Sequence, residues 1–327
     1  MNKEQIQNMI LHEEKYDETM GSVVLPYIEQ RKTQGYCERE EGKKIFYIRC
    51  LADNPRGIAV ISHGYTETIE KHLENIYYFL CGGYHVFMPE HCGHGHSYRM
   101  CSDAKDLSLV HVDDYIRYVD DLLFIARRAA HEFPDLPILL YGHSMGGGIA
   151  TAAAARAPEL FSKLILSSPM IRPSSAPVPW SLARLIAKLF CMVGKSECYV
   201  NGNHPYEGPE LFADSASVSE ARFNFYQQKR YKEPLYQMSA ASYGWLWQAA
   251  QLNSYLQHKA WRLIDCPVLI FQADNENYVS QEEQVRFADK LNRNKPGNAK
   301  LIKFPGTKHE IFNSGTDILA RYWELIL

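Results

Sequence analysis

Ser144 stands at the centre of Gly142-His143-Ser144-Met145-Gly146. The apolar run Ile138-Leu139-Leu140-Tyr141 precedes it, and Gly147-Gly148-Ile149-Ala150 follows. Strand, tight turn and helix in that order would hold a serine hydroxyl exposed above a sheet, in a strained turn. Gly142 and Gly146 leave room where strand and helix cross. A serine hydroxyl is a weak nucleophile until a base takes its proton. In such an arrangement the base comes last in the chain, after the acid. His309 is suitably placed, in Phe304-Pro305-Gly306-Thr307-Lys308-His309-Glu310 just past a late apolar run. The acid should follow the preceding run, in Ala273-Asp274-Asn275-Glu276-Asn277-Tyr278-Val279. Glu276 is preferred, because Val279 three residues on could anchor its loop, and Asp274 is the rival. The acid would hold the imidazole in the correct tautomer. The negative oxygen formed by attack on a carbonyl needs two backbone N–H donors. Met145, next after the nucleophile, offers one. Tyr65, after the turn Ser62-His63-Gly64, offers the other.

The elements that would carry these residues alternate. Apolar runs at Lys44–Cys50, Gly57–Ser62, Tyr84–Pro89, Pro137–Tyr141, Lys163–Ser167, Pro267–Gln272 and Lys300–Phe304 read as buried strands. Helical patterns lie between or after them: Asp113–His131, Gly146–Ala157, Gln281–Asn292 and Thr316–Leu327. Ser280 with Glu283 forms a capping box before the third. Such alternation predicts an α/β fold with a mostly parallel sheet flanked by helices. From Ser168 to Ile264 the alternation stops, and helices at Trp180–Met192 and Tyr243–Trp261 are expected instead. The expected organisation is therefore a core of residues 1–167 and 265–327 with a helical cap inserted at 168–264.

The chain has 327 residues, 46% of them hydrophobic, which excludes a disordered or fibrous protein. The net charge of −3 argues against a protein that works by neutralising nucleic-acid phosphates. Met1 to Leu11 lacks an apolar signal-peptide stretch, and no run is long enough to span a bilayer. A soluble cytoplasmic protein is expected. Eight cysteines without CxxC spacing are expected to be reduced.

Together these pieces resemble the α/β-hydrolase superfamily, in particular its lysophospholipase and monoacylglycerol lipase branch. Ser62-His63-Gly64 resembles that branch's oxyanion turn. Glu90-His91-Cys92-Gly93-His94-Gly95-His96-Ser97 resembles its D-x-x-G-x-G-x-S loop, with Glu where Asp is usual, and Phe304–Glu310 resembles its G-x-x-H-E end. Ser219–Tyr226 and Tyr243-Gly244-Trp245-Leu246 resemble the cap of the bacterial lysophospholipases. The likeness runs from about Tyr27 to the C-terminus and is weakest in the insertion. It implies ester hydrolysis through an acyl-enzyme, without a cofactor, with the acid at Glu276. An Asp is commoner there, which keeps Asp274 in play.

The substrate implied is a small lipid ester, a lysophospholipid or a monoacylglycerol. His63 and the cap residues Trp180 and Leu189 are expected to contact it, the latter two by lining an acyl slot. The cap is also where a peripheral contact with a membrane would form. The His91, Cys92, His94 and His96 cluster reads as a turn rather than a metal site. Two alternatives stand beside this reading. One is an aminopeptidase or small-ester carboxylesterase, for which Glu207, Glu210 and Asp214 could bind a free amine. The other is a non-catalytic binding module of the same fold.

Overall fold

The computed structural model describes residues 1–103 and 105–327. Its main sheet has eight strands in the order β1-β2-β4-β3-β6-β7-β9-β10. These are β1 (Lys32–Glu40), β2 (Lys43–Cys50), β3 (Gly57–Ser62), β4 (Tyr84–Pro89), β6 (Ile138–His143), β7 (Lys163–Ser167), β9 (Val268–Asn275) and β10 (Ala299–Lys308). β2 runs antiparallel to β1 and to β4, and all other neighbours are parallel. A separate pair of two-residue parallel strands, β5 (Leu109–Val110) and β8 (Ala240–Ala241), ties the segment between β7 and β9 to the loop after β4.

The parallel strands bury both faces, so consecutive residues feed different cores. Ile58 and Val60 of β3 pack on one side, while Ala59 and Ile61 pack on the other. Leu140 of β6 belongs to the first side and Leu139 and Tyr141 to the second. The first side is covered by α5 (Ile116–Glu132), α6 (Met145–Arg156) and α10 (Gln281–Asn294). The second is covered by α4 (Leu73–Cys81), α11 (Thr316–Ile326) and the N-terminal helices α1 (Lys3–Met9), α2 (Tyr16–Thr19) and α3 (Leu25–Glu29).

β1 and α4 are among the elements that lie outside the pattern expected from sequence. β1 is an edge strand on which only Cys37 is buried, so its charged residues hide the strand period. α4 has buried side chains around most of its circumference, including Glu74 and Asn75, which blurs a helical stripe.

Between β7 and β9 the chain carries α7 (Trp180–Met192), α8 (Glu220–Lys232) and α9 (Tyr243–His258). α9 packs on α6 and sends Trp245, Ala249, Leu252 and Leu256 into the first core. α7 packs on α9, with Phe190 stacked on Tyr243 at 3.8 Å between ring centroids. α8 is tied to the second layer by Arg222, which is fully buried and pairs with Glu74 of α4 at 2.9 Å. Tyr16 and Tyr78 also donate to that carboxylate, and Arg222 donates to the Leu11 carbonyl. Every charge in this knot is paired, as burial demands.

Candidate active site

The turn between β6 and α6 positions Ser144 with φ 51° and ψ −121°, a conformation that costs a non-glycine residue about 1–3 kcal/mol. The flanking glycines explain how the strain is imposed. A Cβ on Gly142 would lie 2.6 Å from the Gly146 carbonyl oxygen, and one on Gly146 would lie 2.1 Å from that of Ser62. Strand and helix therefore cross in near-contact, and the hydroxyl is forced outward.

His309 follows β10 directly. Its Nε2 lies 2.8 Å from Ser144 Oγ, and its Nδ1 lies 2.7 Å from Glu276 Oε2. The other oxygen, Glu276 Oε1, accepts the amides of Tyr278 at 2.8 Å and Val279 at 3.2 Å. The structure thus brings Glu276 to the imidazole. Asp274 faces away, exposed, and its Oδ2 accepts the Gly306 amide at 2.9 Å.

Met145 opens α6, where a first-turn amide has no intrahelical acceptor. Among the described residues neither the Met145 nor the Tyr65 amide donates to a protein group. The Gly64 carbonyl is 2.8 Å from His63 Nδ1. Because a trans peptide is planar, a fixed Gly64 C=O fixes the direction of the Tyr65 N–H on the far side of the same bond.

That geometry corrects the expectation for His63. Its ring is fully buried, does not line the cleft, and accepts the His91 amide on Nε2 at 2.9 Å. Its Nδ1–H therefore donates to Gly64, a role in shaping the turn rather than in touching substrate. Burial lowers its pKa to about 4, so it is neutral. Trp180 and Leu189 are corrected likewise: neither lines the cleft, and Leu189 is 50% exposed on the outer face of α7. An apolar helix was legible there, but its facing was not.

The loop after β4 is a knot of internal hydrogen bonds. Glu90 accepts the His96 amide at 2.7 Å, His91 Nε2 meets Ser62 Oγ at 2.9 Å, and His94 Nδ1 donates to the Cys92 carbonyl. Among the described residues, the three that do present ligand atoms within 4.8 Å of one another are Glu67, His72 and His143. All eight cysteines are free thiols.

The cleft above Ser144 has a volume of about 440 Å³. Met170, Phe223 and Trp245 give it apolar wall, while two ion pairs, Lys71–Glu310 and Arg230–Glu210, give it polar wall. Glu67, Lys71 and Arg230 escaped the sequence reading. Only the i, i+4 spacing of Glu67 and Lys71, just past the Gly64 turn, could have flagged the first two.

A family profile described as "Serine aminopeptidase, S33" matches residues 53–315, which include Ser144, Glu276 and His309. The chain belongs to this family, Hydrolase_4, of the α/β-hydrolases. This Hydrolase_4 member is 27% identical to "Monoacylglycerol lipase" of Mycolicibacterium smegmatis over 275 residues, 83% of this chain and 88% of that one. It is 27% identical to "Probable lysophospholipase L2" of Haemophilus influenzae over 291 residues, 88% of each chain. A soluble variant of the Saccharomyces cerevisiae monoglyceride lipase, solved with a substrate analog, superposes with a TM-score of 0.71 at 18% identity. That match covers 90% of this chain and 94% of the other, and it shows a shared fold. The protein is thus a hydrolase of lipase and esterase type. Among the described residues no helix is long and apolar enough to cross a membrane.

Proposed function

We propose that this hydrolase cleaves the fatty-acyl ester of a lysophospholipid or a monoacylglycerol, with Ser144 as nucleophile, His309 as base and Glu276 as acid. The observation that carries the reading is the hydrogen-bonded chain from Glu276 through His309 to Ser144 at the floor of the cleft. The names of the two relatives support a lipid ester.

With Glu276 holding the Nδ1 proton, His309 Nε2 is the free acceptor. It takes the proton of Ser144 as Oγ attacks the ester carbonyl. The amides of Tyr65 and Met145 stabilise the oxyanion; one such donor is worth about 3–4 kcal/mol. The tetrahedral adduct collapses, the C–O bond to the alcohol breaks, and the leaving oxygen receives the proton from His309. Water, deprotonated by His309, then attacks the acyl-enzyme; the bond from the acyl carbon to Ser144 Oγ breaks, His309 returns the proton to Oγ, and the fatty acid leaves. No step needs a cofactor.

The part of residues 168–264 that precedes α9 acts as a cap, while α9 packs into the core, and α7 is the cap's membrane-facing element. Leu182, Leu185, Leu189 and Met192 are exposed at helical spacing, Arg184 and Lys188 lie on the same helix, and Trp180–Met192 contains no acidic residue. Such a face suits an anionic lipid surface. The groups weighed for amine binding do not gather in the cleft: Glu210 is paired with Arg230, and Glu207 and Asp214 are exposed outside its lining.

The test is acyl or amine release from lysophosphatidylethanolamine, a monoacylglycerol, p-nitrophenyl esters and an aminoacyl anilide, together with fluorophosphonate labelling. Label on the wild type that disappears in Ser144→Ala, with release from a lipid ester, is the expected result. Cleavage of the anilide alone would make the protein an aminopeptidase. An unlabelled wild type would make it a binding module.

A further inference from the structure

Glu67 is a carboxylate buried beside the nucleophile that the proposed steps do not use. It sits in the cleft wall, 2% exposed. Its Oε2 accepts the Gly64 amide at 2.6 Å and His72 Nε2 at 2.8 Å. Its Oε1 lies 3.0 Å from His143 Nδ1 and 3.7 Å from Lys71 Nζ. His72 is itself oriented, since its Nδ1 meets Asn75 Nδ2 at 3.1 Å. Two hydrogen bonds, from Gly64 and His72, therefore fix the carboxylate, and His143 and Lys71 crowd its other oxygen without hydrogen-bonding it.

What it holds is specific. Gly64 begins the turn whose next amide is Tyr65, and His143 immediately precedes Ser144 and Met145. One carboxyl group thus touches both chain segments that carry the two oxyanion donors. We propose that Glu67 is a positioning residue, a brace that sets the separation of the Tyr65 and Met145 amides. The proposal rests on the hydrolase reading above.

Three further observations fit a brace. First, the carboxylate packs directly under the glycine: a Cβ on Gly64 would lie 2.8 Å from Glu67 Oε2 and 3.0 Å from His143 Nδ1. Second, Thr66 between them has φ 58°, a left-handed conformation that a non-glycine residue keeps only where its surroundings over-determine it. Third, the Glu67 backbone amide turns back to the Gly64 carbonyl at 3.4 Å, so the residue grips both ends of Gly64. Charge agrees with geometry. Burial alone would raise the Glu67 carboxyl, but His143, Lys71 and His72 outweigh it and hold the pKa well below the usual carboxylate range. The group is an anion with only acceptors to offer, which is what the Gly64 amide and His72 require.

An oxyanion brace makes a prediction that a general packing role does not. Losing it should hurt the transition state and spare substrate binding. A displacement of about 1 Å in a catalytic group can cost about 10²-fold in rate. The experiment compares wild type, Glu67→Gln and Glu67→Ala on a matched p-nitrophenyl ester and its thiono analogue, whose C=S sulfur draws far less from N–H donors. For Glu67→Ala we expect kcat on the oxygen ester to fall about 10²-fold, KM to stay within about threefold, and the oxygen-to-sulfur rate ratio to fall about tenfold or more. Glu67→Gln keeps one acceptor oxygen and should lie between the two; it carries the test if the alanine variant does not fold.

Equal losses on both esters, or a kcat within threefold of wild type, would overturn the brace. Failure of the underlying reading looks different: the wild type would hydrolyse neither ester, or Ser144→Ala would remain active.

Discussion

Glu276 divides its two oxygens between different tasks: Oε2 meets His309 Nδ1 at 2.7 Å, while Oε1 is held by the Tyr278 and Val279 amides. The carboxylate is aimed by its own loop before it meets the imidazole. Replacing Glu276 by Gln keeps an oxygen for those amides but offers the ring a neutral group in place of a charge. We expect kcat to fall by roughly 10³–10⁴-fold with little change in melting temperature. Asp274→Asn should cost less than threefold, since Asp274 only caps the Gly306 amide. Steady-state rates of the two variants on one soluble ester decide between them, and a larger loss from Asp274→Asn would reverse the assignment.

Strain at Ser144 predicts a trade of activity for stability. With φ at 51° and ψ at −121°, the position suits glycine better than any other residue. Ser144→Gly should abolish hydrolysis and stabilise the fold by about 1 kcal/mol. Ser144→Ala keeps the Cβ and hence the strain. Thermal unfolding of the two variants should therefore place the glycine form higher, and the reverse order would mean that the turn is not strained.

Three neutral histidines make the fold sensitive to acid. Burial lowers the pKa of His63, His91 and His94, that of His63 to about 4 from an ordinary 6.5. Between those two values the unfolded chain binds protons that the folded chain refuses. Stability is thus complete above pH 6.5 and is lost as pH falls toward 4, with His63 alone contributing about 3 kcal/mol of the loss. Melting temperatures should drop steadily from pH 7 to 4.5, and more shallowly in His94→Gln. A flat profile over that range would contradict the burial of neutral rings. Activity should fall over the same direction of pH, because the base must be unprotonated to accept the serine proton.

The outward face of α7 separates contact with a lipid surface from chemistry in the cleft. Leu185 and Leu189 are each 50% exposed and neither lines the cleft. Changing both to Glu should weaken binding to anionic vesicles by roughly tenfold or more and leave hydrolysis of p-nitrophenyl acetate within twofold. Flotation with phosphatidylglycerol vesicles reads the first and absorbance the second. Equal binding by both proteins would remove α7 from the membrane proposal.

Much of the frame was legible because its rules are local. β3, β4 and β7 have the ends their apolar runs suggest, and α7 runs from Trp180 to Met192 as its pattern does. Strand ends near the site were less legible: β9 continues to Asn275 and β10 to Lys308, since backbone pairing carries polar residues along that a run of apolar ones would exclude. β1 stayed hidden because an edge strand need bury only one face, and here buries one residue.

The sequence by itself determined the glycine-flanked turn at Ser144, the strand before it, the helix after it and the late loop of His309. Each follows from steric and periodic rules acting over a few residues. Only the tertiary structure decided that Glu276 rather than Asp274 meets His309, that Trp180 and Leu189 lie away from the cleft, and that Glu67 meets Gly64 and His143 in one buried spot. Those outcomes depend on how elements far apart in the chain pack and rotate against one another, and no local spacing encodes the direction in which a side chain then points.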